Sequence, residues 1–273
     1  MKNMKNMKNK ILLFVITFVT LIIISCSVVP ITGRHQLNMI PNSTMLSMSY
    51  QQYGDFLKSN KKSTNKQQTR MVKKVGHRIQ KAVEKYLTDN GLADRISNYN
   101  WEFNLVDSPE QNAWCMPGGK VVVYSGILPL TKTETGLAVV MGHEIAHAIA
   151  EHGNERMSQQ MLVQMGGTAL SAAMRTKPAE TQKMWMQVYG LGAQYGAVLP
   201  YSRLQESEAD KLGLIFMSIA GYDPREAVTF WQRMSENKKG QAPPELMSTH
   251  PADETRIQKI KQNLPEALKY YKK

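Results

Sequence analysis

Residues 137–153 read LAVVMGHEIAHAIAEHG. His143 and His147 stand four residues apart, so on a helix both side chains project from one face and reach a single ion. Glu144 follows the first of them. Two neutral imidazoles hold zinc at ~2.0–2.1 Å, while the adjacent carboxylate can take a proton from water whose pKa the ion lowers to about 7. The apolar residues around them, Leu137, Val139, Val140, Ile145, Ala146 and Ile149, predict a helix buried in a core. A metal site there is dry, and its electrostatics are strong. The HExxH pattern arises by chance in roughly one chain per hundred of this length, so a second signal is required.

That signal lies downstream, where residues 201–213 read YSRLQESEADKLG. Glu206 and Asp210 share a helix face. Glu206 completes a His, His, Glu set with a fourth position left for water, the arrangement of a catalytic rather than a structural zinc. Asp210, one turn on, can accept a hydrogen bond from the non-ligating nitrogen of a zinc histidine. Taken without the HExxH, the same acidic cluster fits a solvated helix start favoured by the helix dipole.

Upstream of the metal helix the pattern turns to strands. WEFNLVD, NAWCM and KVVVYSGIL follow one another between residues 101 and 128, with Pro117, Gly118 and Gly119 separating the last two. This predicts a small sheet whose hairpin leads into the helix that bears the chemistry. Asn112, Ala113, Trp114, Cys115 and Met116 form a strand on whose edge an extended substrate could pair, read by its backbone more than its side chains. Helical spacing predicts two helices over 43–57 and 66–86, and six more over 133–152, 155–175, 181–198, 203–220, 224–236 and 252–263. The fold class is therefore α+β and mostly helical, in one domain over residues 43–273.

The first 25 residues read as an address. MKNMKNMKNK and an apolar run of 14 residues have the layout of a secretory signal, and the run is short for a membrane span, which needs ~20 residues. Ile23, Ile24, Ser25 and Cys26 resemble a lipobox, with Cys26 as the lipid-modified residue. The alternative is an uncleaved N-terminal anchor. Residues 26–42, rich in turn formers, read as an extended tether. The expectation is an exported lipoprotein held by Cys26 at a membrane, on the periplasmic face of an outer membrane because Ser rather than Asp follows the cysteine. Cys115 then has no intrachain partner, so disulfides do not staple the fold.

The 34 Lys and Arg against 22 Asp and Glu give a net charge of +12, but four of the lysines precede the apolar run. The remaining basic residues are spread through helical stretches without an aromatic strip, a solvated surface rather than a nucleic-acid site. His35, His77 and His152 read as structural; His152, five residues past His147, is rotated away from the ligand face of a continuous helix. The 18 methionines, at helical intervals, read as core filling. Tyr201 fits an oxyanion donor or a packing residue equally well.

HEIAH, the ExxAD of Glu206 to Asp210, YSR just before it and THPADETR near the end together resemble metallopeptidase family forty-eight, the gluzincins of the CAAX prenyl protease, HtpX and Oma types. VPITGRHQLNMI, NAWCMPGGKVVVYSGIL, GHEIAHAIAEHGNERMS and GYDPREAVTFWQRM are similar to its bacterial periplasmic lipoprotein branch, and the likeness spans residues 29–262. The resemblance implies a zincin fold with one zinc on His143, His147 and Glu206, and Glu144 as the base. Its closing HPxxxxR motif falls on His250, Pro251 and Arg256, which implies groups over the active-site mouth that contact the oxyanion or the metal. NAWCM replaces a commoner NAFAL, and no helical repeat domain follows. The expected function is a zinc metalloendopeptidase that degrades unfolded or misassembled envelope proteins. Its rival is a zinc-stabilised chaperone or assembly factor on a protease fold.

Overall fold

A computed structural model describes residues 26–30, 32–236, 246, 250 and 254–272. The expected signal peptide, residues 1–25, and Pro251 lie outside the described residues.

The centre of the fold is α3, Glu134–Ile149. Thr133 starts it, its hydroxyl accepting the Gly136 N–H at 3.0 Å. Every residue from Gly136 to Ile149 is buried, as expected of a helix apolar on all sides. Helix α6, Leu199–Ile219, crosses α3 and is buried from Gln205 to Ser218 except for Ser207 and Lys211. Two glycines set how closely they cross. A Cβ on Gly142 would lie 3.0 Å from the Gly213 carbonyl oxygen, and one on Gly213 only 2.9 Å from the His143 nitrogen. Backbone meets backbone there, which brings the HExxH face of α3 beside Glu206 and Asp210.

Around this pair pack α1 (Asn42–Ser59), α2 (Lys66–Asp89), α7 (Glu226–Glu236) and α8 (Glu254–Leu268). The side chain of Asn65 caps α2 by accepting from the N–H groups of Gln67 and Gln68 at 3.1 Å. Its buried stripe, Val72, Val75, Ile79, Val83 and Leu87, closes the core. Three strands, β3 (Glu102–Val106), β4 (Ala113–Met116) and β5 (Lys120–Tyr124), form a sheet in the order β3-β5-β4. β5 runs parallel to β3, with Phe103 opposite Val121, and antiparallel to β4, with Ala113 opposite Val123. The continuous run KVVVY is buried along its whole length, as a central strand must be. Gly118 and Gly119, at φ 85 and 80, make the β4–β5 turn. β4 and β3 are thus the edge strands of this sheet, and β4 packs against α3.

Two expectations need correction. Residues 26–42 are not a free tether: β1 (Cys26–Val28) and β2 (His35–Leu37) pair as an antiparallel hairpin, and Val29 and Gln36 are buried. Arg34 enters a polar cluster whose partners lie 121 and 174 residues away. The methionines do not all fill the core either. Helices α4 (His152–Met174) and α5 (Ala179–Ala193) form an arm on which Met161, Met165, Met184, Trp185 and Leu191 are exposed. Among the described residues no helix is long and apolar enough to cross a membrane.

Candidate metal centre

His143 and His147 sit one turn apart on α3, Glu206 on α6, and His250 ahead of α8. Their donor atoms all lie within 4.8 Å of one another. His143 Nε2 is 3.1 Å from His147 Nε2 and 3.1 Å from His250 Nδ1. Glu206 lies 3.4 Å from His143, 3.3 Å from His147 and 2.8 Å from His250. A tetrahedron around an ion with bonds of ~2.0–2.1 Å has edges of roughly 3.3–3.4 Å, so these spacings fit zinc. The donor types fit equally well, being three borderline nitrogens and a carboxylate. Glu144 is buried beside them, and its Oε1 has no hydrogen-bond partner among the described residues, although it faces His250 Nε2 at 3.6 Å. A partnerless buried carboxylate oxygen is costly unless the site's own chemistry supplies its partner.

His143 and His250 are held from behind. Asp210 Oδ1 lies 3.0 Å from His143 Nδ1, which holds a proton on that nitrogen and turns Nε2 to the cluster. Asp210 in turn accepts both Nε and an Nη of Arg256, at 2.8 and 2.7 Å. Arg256 also donates to the His250 carbonyl at 3.2 Å and lies over the Trp231 ring at 3.4 Å. Its guanidinium also reaches the cluster itself, 3.4 Å from Glu206 Oε2 and 3.3 Å from the ring nitrogens of His143. A planar fork flanked by a bidentate acceptor and an aromatic face is a framework group.

The charges follow from this packing. Burial and Arg256 push His143 down, yet hydrogen bonds to Asp210 and Glu206 outweigh them and raise its pKa to about 9. Burial opposes ionisation of Glu206, but bonds from His143, His147 and His250 hold its carboxyl far below the ordinary range. Burial drives His147 well below its ordinary value. Burial and Glu144 push the Cys115 thiol well up, which suits a strand residue rather than a nucleophile.

Sequence reasoning missed His152. α3 ends at Ile149 and α4 starts at His152, because Glu151 adopts a left-handed conformation with φ 58. The phase of a continuous helix is lost there, and His152 turns back so that its Nδ1 lies 2.8 Å from His147 Nδ1. Its Nε2 lies 3.0 Å from Glu208 Oε2. The one signal in the sequence is Gly153, a helix breaker directly after His152.

A profile of peptidase family M48 matches residues 73–264, which contain all of these groups. The chain belongs to peptidase family M48. Among M48 relatives, the mitochondrial metalloendopeptidase OMA1 of Schizosaccharomyces pombe is 34% identical over 88% of this chain and 66% of its own length. The human mitochondrial metalloendopeptidase OMA1 is 31% identical over 94% of the chain and 49% of its own length. The beta-barrel assembly-enhancing protease of Escherichia coli K12 is 28% identical over 58% of the chain and 33% of its own length. The chain thus spans a third to two thirds of these relatives. The M48 match stands at the level of the family. The expected placement at the periplasmic face of an outer membrane is overturned, because the relatives that match 88% and 94% of the chain are mitochondrial, while the bacterial one matches far less of it.

Proposed function

We propose that this chain is a zinc-dependent endopeptidase acting on unfolded or misassembled proteins. The observation that carries the reading is the convergence of His143, His147 and Glu206 beside a buried Glu144 whose Oε1 has no partner among the described residues. In this reading the two histidines and Glu206 hold zinc. Zinc bound there supplies Lewis acidity to a peptide carbonyl and acidifies water. Glu144 takes the proton of the attacking water and delivers it to the leaving amine. His250 is placed to be a fourth donor or to steady the developing oxyanion, and Arg256 orients it by holding its carbonyl. The outer edge of β4, Asn112 to Met116, pairs with no other strand among the described residues and offers backbone pairing to an extended segment, which favours unfolded chains over one cleavage sequence. Lipid attachment at Cys26 is a separate proposal, tested by palmitate-analogue labelling of wild type against Cys26→Ala.

A chaperone on the same fold would need no base, and Glu144 is buried where a base has to be. The test is zinc content and casein cleavage of the purified protein beside Glu144→Gln. Wild type should bind one zinc and cut, and Glu144→Gln should bind zinc without cutting. Equal cleavage by both would overturn the assignment of the base, and no zinc in wild type would overturn the site.

A further inference from the structure

Behind His147 runs a chain of hydrogen bonds that ends on the N-terminal hairpin. His147 Nδ1 meets His152 Nδ1 at 2.8 Å, and His152 Nε2 meets Glu208 Oε2 at 3.0 Å. Glu208 receives Arg34 Nε on the same oxygen at 3.0 Å and the Thr32 hydroxyl on the other. Arg34 is itself held by Glu155, at 2.6 and 2.8 Å, and Gln205 donates to Glu155 at 2.7 Å. His152, Glu155 and Gln205 are fully buried, and none of these groups contributes a donor atom to the metal cluster.

The proton count along this chain has a consequence. For His147 Nε2 to offer a lone pair to a metal, its proton must sit on Nδ1, and that N–H must face an acceptor. The atom it faces is another imidazole nitrogen. His152 Nδ1 accepts only while the His152 proton sits on Nε2, and Nε2 has a carboxylate to donate to only while Glu208 stays in place. Thr32 and Arg34 hold Glu208, and both belong to the hairpin.

Resting on the reading of His147 as a ligand, we propose that His152 is a positioning residue that fixes the tautomer of His147, and that the hairpin around Thr32 and Arg34 completes the metal site from outside it. Residues 26–37 are then part of the zinc site's support, though over a hundred residues of sequence separate them from it. The device mirrors Asp210 behind His143, with a neutral imidazole relaying the carboxylate's influence instead of a direct contact.

Two near-isosteric variants separate the relay from mere packing. Asn at 152 puts an amide oxygen where Nδ1 was and can still accept from His147. Gln at 152 reaches Glu208 with its amide but offers His147 no acceptor. Zinc affinity, read by chelator competition, should fall ~10–100-fold in His152→Gln and His152→Ala and stay near wild type in His152→Asn. The visible spectrum of the cobalt-substituted protein should change in the first two and not in the third. The double variant Thr32→Val with Arg34→Met leaves His152 in place and should weaken zinc in the same direction, a second handle if a His152 variant does not fold. Asn and Gln variants weakened alike, or a hairpin variant with wild-type affinity, would overturn the relay. His147→Ala is the control: retained zinc there overturns the ligand assignment itself, whereas lost zinc there with unchanged His152 variants overturns the relay alone.

Discussion

Gly213→Ala tests whether the closeness of α3 and α6 makes the metal site. In an isolated helix this change would stabilise by about 1 kcal/mol, since Ala is the better helix former. Here the new Cβ would stand 2.9 Å from the His143 nitrogen and 3.0 Å from the Gly142 carbonyl carbon, where ordinary contact begins at 3.4 Å. Both are backbone atoms and cannot swing aside, so the helices must part by about 0.5 Å, the difference between 2.9 and 3.4 Å. Overpacking of this kind costs ~1–3 kcal/mol, and with no side chain to yield the upper end applies. Set against the propensity gain, the net loss is about 2 kcal/mol, or a fall in Tm of roughly 4–8 °C for a domain of this size. The same half ångström separates Glu206 from His143 and His147, beyond the ~0.2 Å that zinc bond lengths tolerate. Differential scanning calorimetry and chelator competition on the Glu144→Gln background measure both effects. Gly54→Ala, where a Cβ meets nothing within 4 Å, is the control and should melt at or above wild type. A Gly213→Ala protein with the Tm and zinc affinity of its parent would refute the reasoning.

Replacing His143, His147 or Glu206 by Ala should each strip zinc and abolish cleavage, and unchanged zinc affinity in Glu206→Ala would reassign the third ligand. Arg256→Met leaves Asp210 buried without its cation and should destabilise by ~3–5 kcal/mol in urea unfolding, whereas a loss under about 1 kcal/mol would remove Arg256 from the framework. Burial pushes Glu208 up, but bonds from His152, Arg34 and Thr32 outweigh it and hold its pKa below the ordinary 4.5. Its stabilisation is therefore complete above that value and lost as pH falls through the lower folded one, so unfolding free energy from about pH 6 to about pH 3 should fall less steeply in Glu208→Gln than in wild type. Equal slopes would contradict this. Cys115, with its thiol pushed up by burial, should alkylate slowly at neutral pH until denaturant is added, and Cys115→Ser should keep its cleavage activity. Rapid labelling of the native protein would put the strand's environment in doubt.

The metal helix and its partner were legible because their signals are local. HEIAH sets two side chains one turn apart, Glu206 and Asp210 repeat that spacing, and KVVVY between turn formers can hardly be anything but a buried strand. The groups that were not legible depend on breaks in periodicity or on distance along the chain. One left-handed residue, Glu151, resets the helical phase and returns His152 to His147, which spacing from a continuous helix could not foresee. Strands of three residues at 26–28 and 35–37 carry no measurable period, and their anchor Glu208 lies 174 residues from Arg34. Arg256 was found as a residue worth naming, but its bonds to Asp210 and its seat over Trp231 depend on where those residues meet in space. The exposed methionines of the α4–α5 arm have the spacing of core residues and simply lack a core to face.

The scatter of the site along the chain also governs when it can exist. Its groups come from positions 143, 147, 206 and 250, with supports from 32 to 256, so a ribosome must release residues 32 to 256 before the last contact closes. Such long-range closure is slow, because chain entropy must be lost before the contacts repay it. A growing chain that has made α3 but not α6 displays two histidines and a glutamate without Glu206, their carboxylate partner. An unfinished chain of this kind cannot cut, and one broken before position 206 lacks its third donor.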